Sequence, residues 1–289
     1  MKKPFLAAFA AAALGSLLTS CILISDPEGE PGWRTIPDSN RPRTSGSEFR
    51  QTLAFSPGGS LSLENDYGDV EITGWDRDEI EVVAKAAAAA EPQRPRSARE
   101  SAGRGTVPDV EVRETGDGVL IRTPTFEGPG KPPAASYEVR VPNSVVLTGI
   151  RISEGNLTIA DVFGRIDASV DLGDLTVRNY SGPLRATVGT GNADVEVLDL
   201  RDGDEITITS RRGDIFLRLE RGAGAIIEAD APRGQVRSDF DLGVKLPAST
   251  VKGWIGQGGP SVILRASDGR IQIIRTSDAA VAAAAKAGK

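Results

Sequence analysis

Histidine is missing from all 289 residues, which removes Ser/His/Asp and Cys/His catalysis and histidine-ligated metals. An enzyme built on this chain would have to work with carboxylates, Lys or Tyr. Two carboxylate clusters are available: Asp202, Asp204 and Glu205, and separately Asp239 and Asp241. Paired carboxylates set about 5–9 Å apart hydrolyse glycosides. Acidic residues in turns more commonly bind their own backbone or water, and that comparison favours a non-enzymatic chain. Gly-Asp pairs begin at Gly68, Gly173, Gly203 and Gly213 and invite a calcium reading. The calcium-binding nonapeptide needs Gly-Gly-x-Gly-x-Asp in successive turns. Here each turn supplies one acidic residue, so plain turn chemistry is the expectation. Gly189-Thr190-Gly191 is a turn rather than a phosphate loop, because no helix follows it. No cofactor and no metal are implied.

The elements that would position these groups are set by a repeat. Glycine recurs every nine residues at Gly155, Gly164, Gly173, Gly182 and Gly191. Two positions on stand Leu157, Ile166, Leu175, Leu184 and Ala193, and four positions on Ile159, Ala168, Val177, Ala186 and Val195. The residue between is polar each time, the period of a strand with one buried face. Larger and smaller residues alternate at the fourth position. At the sixth, Asp161 and Asn179 alternate with Val170 and Val188. Two kinds of strand therefore alternate within one coil. The expected fold is all-β: a parallel two-sheet β-solenoid, about 18–22 residues per coil, with an irregular antiparallel N-terminal strand region. An antiparallel sandwich of short hairpins is the alternative. Looser repeats continue through Ile206–Ile208, Gly213–Leu217 and Gly222–Ile227, and Gly269–Ile273 reads as the closing strand.

Residues 1–21 read as an export signal. Lys2 and Lys3 precede an apolar run ending Leu18-Thr19-Ser20-Cys21, which resembles a bacterial lipoprotein signal with Cys21 as the lipidated residue. An ordinary signal peptide with a chance cysteine is the alternative. Several acyl chains anchor stably without a spanning helix. Ile22 after the cysteine points weakly to the outer membrane. Without Lys2 and Lys3, 32 Lys and Arg face 40 Asp and Glu, a net charge near −8. Such a chain lacks the basic footprint that nucleic acid requires. Residues 22–49 read as a flexible tether and 50–146 as the N-terminal β region. A mobile insertion interrupts that region at 86–108. Residues 147–275 form the repeat domain and 276–289 a disordered tail.

The order of three motifs resembles the bacterial adhesin-like group of domains of unknown function built from β-strand repeats. They are Asn65-Asp66-Tyr67-Gly68-Asp69-Val70-Glu71-Ile72-Thr73-Gly74-Trp75-Asp76, then Tyr137-Glu138-Val139-Arg140-Val141-Pro142, then the glycine-led strands. The resemblance covers about residues 50–275. It implies an exported or membrane-tethered β-solenoid-like domain and carries over no ligand and no catalytic residue. The Arg/Pro/Ala-rich insertion departs from the family's compact pattern.

If Leu157 and Leu175 point inward, Thr158, Thr176, Thr207 and Phe216 point outward on neighbouring rungs. They would form a face for an extended glycan or an envelope protein, or else a merely solvated sheet surface. Trp75 and Trp254 are expected in cap or turn packing. The reading is a lipid-anchored, non-enzymatic, adhesin-like binding or scaffolding protein of the bacterial envelope. Alternatives are an envelope-stress sensing partner of a membrane signalling system and a carboxylate-based polysaccharide enzyme.

Overall fold

A computed structural model describes residues 43–45, 48–86, 110–116, 118–123 and 134–276. The export signal, Cys21, most of the tether, the insertion and the tail lie outside these residues. The described residues form β-strands joined by turns. They are β1 (Arg43–Ser45), β2 (Glu48–Ala54), β3 (Ser60–Tyr67), β4 (Val70–Trp75), β5 (Glu79–Ala86), β6 (Glu111–Thr115) and β7 (Gly118–Arg122). Then come β8 (Ala135–Pro142), β9 (Val146–Glu154), β10 (Leu157–Ala160), β11 (Ile166–Leu172), β12 (Leu175–Ser181), β13 (Leu184–Thr190) and β14 (Ala193–Asp199). The last are β15 (Glu205–Arg212), β16 (Ile215–Leu219), β17 (Ala225–Asp230), β18 (Val236–Ser238), β19 (Thr250–Ile255), β20 (Ser261–Asp268) and β21 (Ile271–Arg275).

Two large sheets result. The first runs β1-β2-β5-β8-β4-β10-β12-β14-β16-β21-β18, the second β19-β17-β20-β15-β13-β11-β9-β3-β7-β6. From β9 to β16 the chain alternates between them, so each circuit lays one strand on each sheet. Like strands pair in parallel: Leu157 lies beside Leu175 and that beside Ala193, while Ile166 lies beside Leu184. The eighteen-residue offset of the glycine repeat is the register of these ladders. A shift of one residue would turn every apolar side chain outward, so the alternation fixes the pairing. Leu157, Ile159, Leu175, Val177, Val195, Ile206, Ile215 and Leu217 are all buried between the sheets. Tyr137 and Tyr180 are the largest fully buried side chains. Each phenol finds a partner: Tyr137 Oη lies 2.6 Å from Thr123 Oγ1, and Tyr180 donates to the Pro183 carbonyl at 2.6 Å. Burial pushes the Tyr180 phenol well above its ordinary range, with Asp204 adding to the effect.

The corner between sheets explains the glycines. Gly173 and Gly191 have φ of 139° and 138°. A Cβ on Gly173 would strike the carbonyl of Gly155, and one on Gly191 the carbonyl of Gly173. The residue after each glycine continues the stack. Asp69 Oδ1 accepts the Asn156 N–H at 2.8 Å, Asn156 Oδ1 that of Asp174 at 3.0 Å, and Asp174 Oδ1 that of Asn192 at 2.7 Å. Asn192 Oδ1 accepts from Asp214 at 3.0 Å, and Asp214 Oδ1 from Arg270 at 2.8 Å. From Asp69 to Asp214 the ladder alternates carboxylate and amide, so no two like charges occupy adjacent rungs, and Arg270 ends it with an opposite charge. At the opposite corner Asp161 and Asn179 take φ of 59° and 51°, a conformation these two residue types tolerate best after glycine.

Two expectations need correction. Both sheets are mixed, and the N-terminal strands are not a separate antiparallel region. β4 pairs in parallel with β8 and β10, and β3 with β7 and β9. Antiparallel pairing is found at β1-β2-β5-β8, β6-β7 and β17-β19. The reason is that Leu61, Leu63, Val70 and Ile72 carry the same inward alternation as the later rungs. Nor is the last strand the closing one. β21 lies between β16 and β18, and β20 between β15 and β17. Ile263 and Ile274 are half-buried even on the outer side, which suits interior slots. The end of the second sheet is instead the antiparallel β17-β19 pair, with buried Phe240 and Leu242 in the core cluster.

Candidate binding faces

The two sheets present two outward faces. On the first, Thr158, Thr176, Asp194, Phe216 and Gln272 occupy one row across β10, β12, β14, β16 and β21. Three of the four expected face residues therefore share a row. Asp194 interrupts it, and Phe216 is half-buried rather than fully exposed. The Asp194 carboxylate accepts Arg178 Nη2 at 2.8 Å and also pairs with Arg218. Burial and the neighbouring Arg178 charge pull the Arg218 guanidinium below its ordinary range. This face is knitted by its own ion pairs and offers few free donors to a ligand.

Thr207 is not part of that row. It stands on β15 in the second sheet, beside Arg185 and Ile263. The loop from Leu200 to Asp204 stretches the step from Arg185 to Thr207 to 22 residues, so the eighteen-residue count no longer locates it. On this second face Asp167, Arg185, Thr207, Ile263, Glu228 and Lys252 form one row. The row next to it runs through Glu205, Ser261 and Ile226 to Trp254. Arg165, Asp167, Pro183, Arg185, Glu205 and Thr207 line a hollow of about 130 Å³ where these rows begin. Where they end, Ile226 and Trp254 sit opposite each other and are 55% and 57% exposed.

The two tryptophans among the described residues differ. Trp75 is packed in a turn as expected: its Nε1 donates to the Glu79 carbonyl at 2.8 Å and Arg77 covers the ring at 4.8 Å. Trp254 meets the expectation in part: its indole lies against Gly243 in the loop before β19, yet the residue is largely exposed. It lies on an end strand, alternation points it outward, and no strand crosses over it among the described residues. Arg165, Arg185, Ile226 and Trp254 were not foreseen as site residues. The alternation around Val251, Gly253 and Ile255 already marks Trp254 as outward, but the antiparallel partner that brings Ile226 beside it has no local signal.

Of the candidate catalytic carboxylates, Glu205 lines the hollow beside Asp167, whereas Asp204, Asp239 and Asp241 bind backbone N–H groups. Asp204 accepts the Arg201 N–H at 2.9 Å, Asp241 that of Gly243 at 2.9 Å, and Asp239 that of Arg275 at 3.2 Å. Glu205 accepts the Thr207 hydroxyl at 3.2 Å. Of the Gly-Asp pairs, the aspartates after Gly68, Gly173 and Gly213 are rungs of the corner ladder. These are the backbone-binding roles that short acidic side chains take in turns.

No family model matches the chain, and no curated protein matches it. Solved bacterial structures do. A "putative cell adhesion protein" from Clostridium sporogenes is similar at 14% identity and a TM-score of 0.42, over 82% of this chain and all of that one. A "putative adhesin" from Bacteroides fragilis is similar at 9% identity and a TM-score of 0.24, over 80% of this chain and 99% of that one. Another from Parabacteroides distasonis is similar at 9% identity and a TM-score of 0.22, covering 81% and 98% of the two chains.

Proposed function

We propose that the chain is a non-enzymatic, adhesin-like binding or scaffolding protein. It is anchored to the bacterial envelope through lipid on Cys21, and its repeat region is a two-sheet β-solenoid. The observation that carries the binding role is the pair of outward faces, whose side chains are held in rows by in-register parallel strands. A surface fixed this way gives up little side-chain and loop freedom when a ligand docks, which favours recognition of an extended partner. The eighteen-residue parallel register supports the solenoid reading. The turn roles of Asp204, Asp239 and Asp241 support the absence of catalysis.

Two measurements test this. Cys21→Ser should move the protein from the membrane to the soluble fraction and abolish its labelling by a fatty acid; an unchanged fraction sinks the anchor. The chain without its signal and lipidated cysteine, residues 22–289, should be retained by envelope preparations without consuming peptidoglycan, pectin or alginate fragments. Turnover abolished by Asp239→Asn would replace the binding reading with an enzymatic one.

A further inference from the structure

The geometry points to the outer face of the second sheet as a track for a linear, carboxylate-bearing glycan. This inference rests on the binding role proposed above and names its ligand class.

The track has a charged start, a polar middle and an apolar end. At the start, the exposed guanidinium groups of Arg165 and Arg185 flank the hollow over Pro183. Among the described residues neither has a carboxylate at ion-pairing distance, although most arginines of the first face do. A free guanidinium fork matches a carboxylate in two parallel hydrogen bonds. Asp167 and Glu205 stand beside them, so the ligand must also offer hydroxyl donors. A uronic acid carries both groups on one ring, whereas a bare anion would meet repulsion from these two acids.

At the other end, Trp254 and Ile226 form an exposed aromatic–aliphatic pair on neighbouring strands. The indole face suits the C–H face of a sugar ring, and its N–H remains free to meet a hydroxyl. Between these ends lie Thr207 and Ser261, one hydroxyl per strand. From β11 to β19 the track crosses five strand spacings, about 24 Å at about 4.8 Å each. A linear chain of pyranoses advances by nearly that spacing per ring, so it would lie across the strands with about one ring per rung. The strand ladder and the polymer thus share a period, which a folded protein partner has no reason to share.

Calorimetry and tryptophan emission of the chain without its signal and lipidated cysteine, residues 22–289, test the inference with galacturonate and mannuronate oligomers against neutral cello-oligomers. The acidic hexamers should bind more tightly than the dimers, weaken with salt and shift the Trp254 emission. Trp254→Ala and Arg185→Gln should each weaken binding by about tenfold. Arg77→Gln, in the exposed turn between β4 and β5 and outside both rows, should leave it unchanged. Both track residues are exposed, and unchanged thermal unfolding of the two variants shows that the fold is kept. Binding that ignores oligomer length, or ignores both substitutions, overturns the track. Should no oligomer bind while envelope retention still falls in both variants, the glycan is overturned in favour of a protein occupant and the binding role stands. Retention unaffected by either variant removes this face from the binding role as well.

Discussion

At the scale of single residues, alternation assigns opposite fates to neighbours. Leu175 is buried and Thr176 faces outward. Leu175→Asp places a charge in the thin core without a partner and should cost more than about 4 kcal/mol, enough to unfold the array. Thr176→Asp should cost under about 1 kcal/mol, because its new charge reaches water and the Asp194 beside it is already paired with Arg178 and Arg218. Denaturant unfolding of both variants checks the pair, and equal damage would refute the face assignment. Asp214 offers a second test. Burial works to raise its pKa, but the hydrogen bonds and charge of Arg270 outweigh that and hold it below its ordinary value of 3.8. A carboxyl depressed in the folded state stabilises above its unfolded pKa and loses that contribution as pH falls through the folded one. Asp214→Asn should therefore lower the thermal midpoint at neutral pH. The deficit should shrink below about pH 4. A deficit that stays constant down to the acid limit would show that the Arg270 pair contributes nothing.

At the scale of elements, the strands and their faces were legible but their order was not. The nine-residue glycine spacing located β10 to β14, and the polar–apolar alternation gave their buried sides. The alternation of Asp161 and Asn179 with valines even marked the two corner types, since those two residues are the left-handed ones. What failed was the inference that strands near in sequence are neighbours in space. β20 and β21 return to fill slots beside β15 and β16, and no local pattern announces a return of that length. The same gap explains the site: Thr158, Thr176 and Phe216 were placed together because they obey the period, whereas Thr207 and the Ile226–Trp254 pair depend on loop length and strand order. The order has a measurable consequence. A chain ending at residue 260 loses two interior strands, so the earlier β17 and β18 should lose amide protection while β10 to β14 keep theirs. If protection were lost progressively from the C-terminus, without these two strands being stranded, the observed order would be wrong.

At the scale of the whole molecule, both sheets pass through the N-terminal and repeat regions alike, and their ends differ in kind. Antiparallel strands close one end of the first sheet at β1-β2-β5 and both ends of the second, at β6-β7 and at β17-β19. Growth of such a molecule can therefore happen in the middle, by duplication of circuits within the gene. The corner ladder decides the step size. Repeating residues 174–191 once would set the carboxylate of Asp174 directly above its own copy, about 4.8 Å away, and like charges so placed repel. Repeating residues 156–191 would bring in one amide and one acid together and keep the alternation intact. The longer insertion should melt near the parent temperature at neutral pH and the shorter one below it, and acid should narrow the difference. Lineages that lengthen this protein should then do so by two circuits at a time.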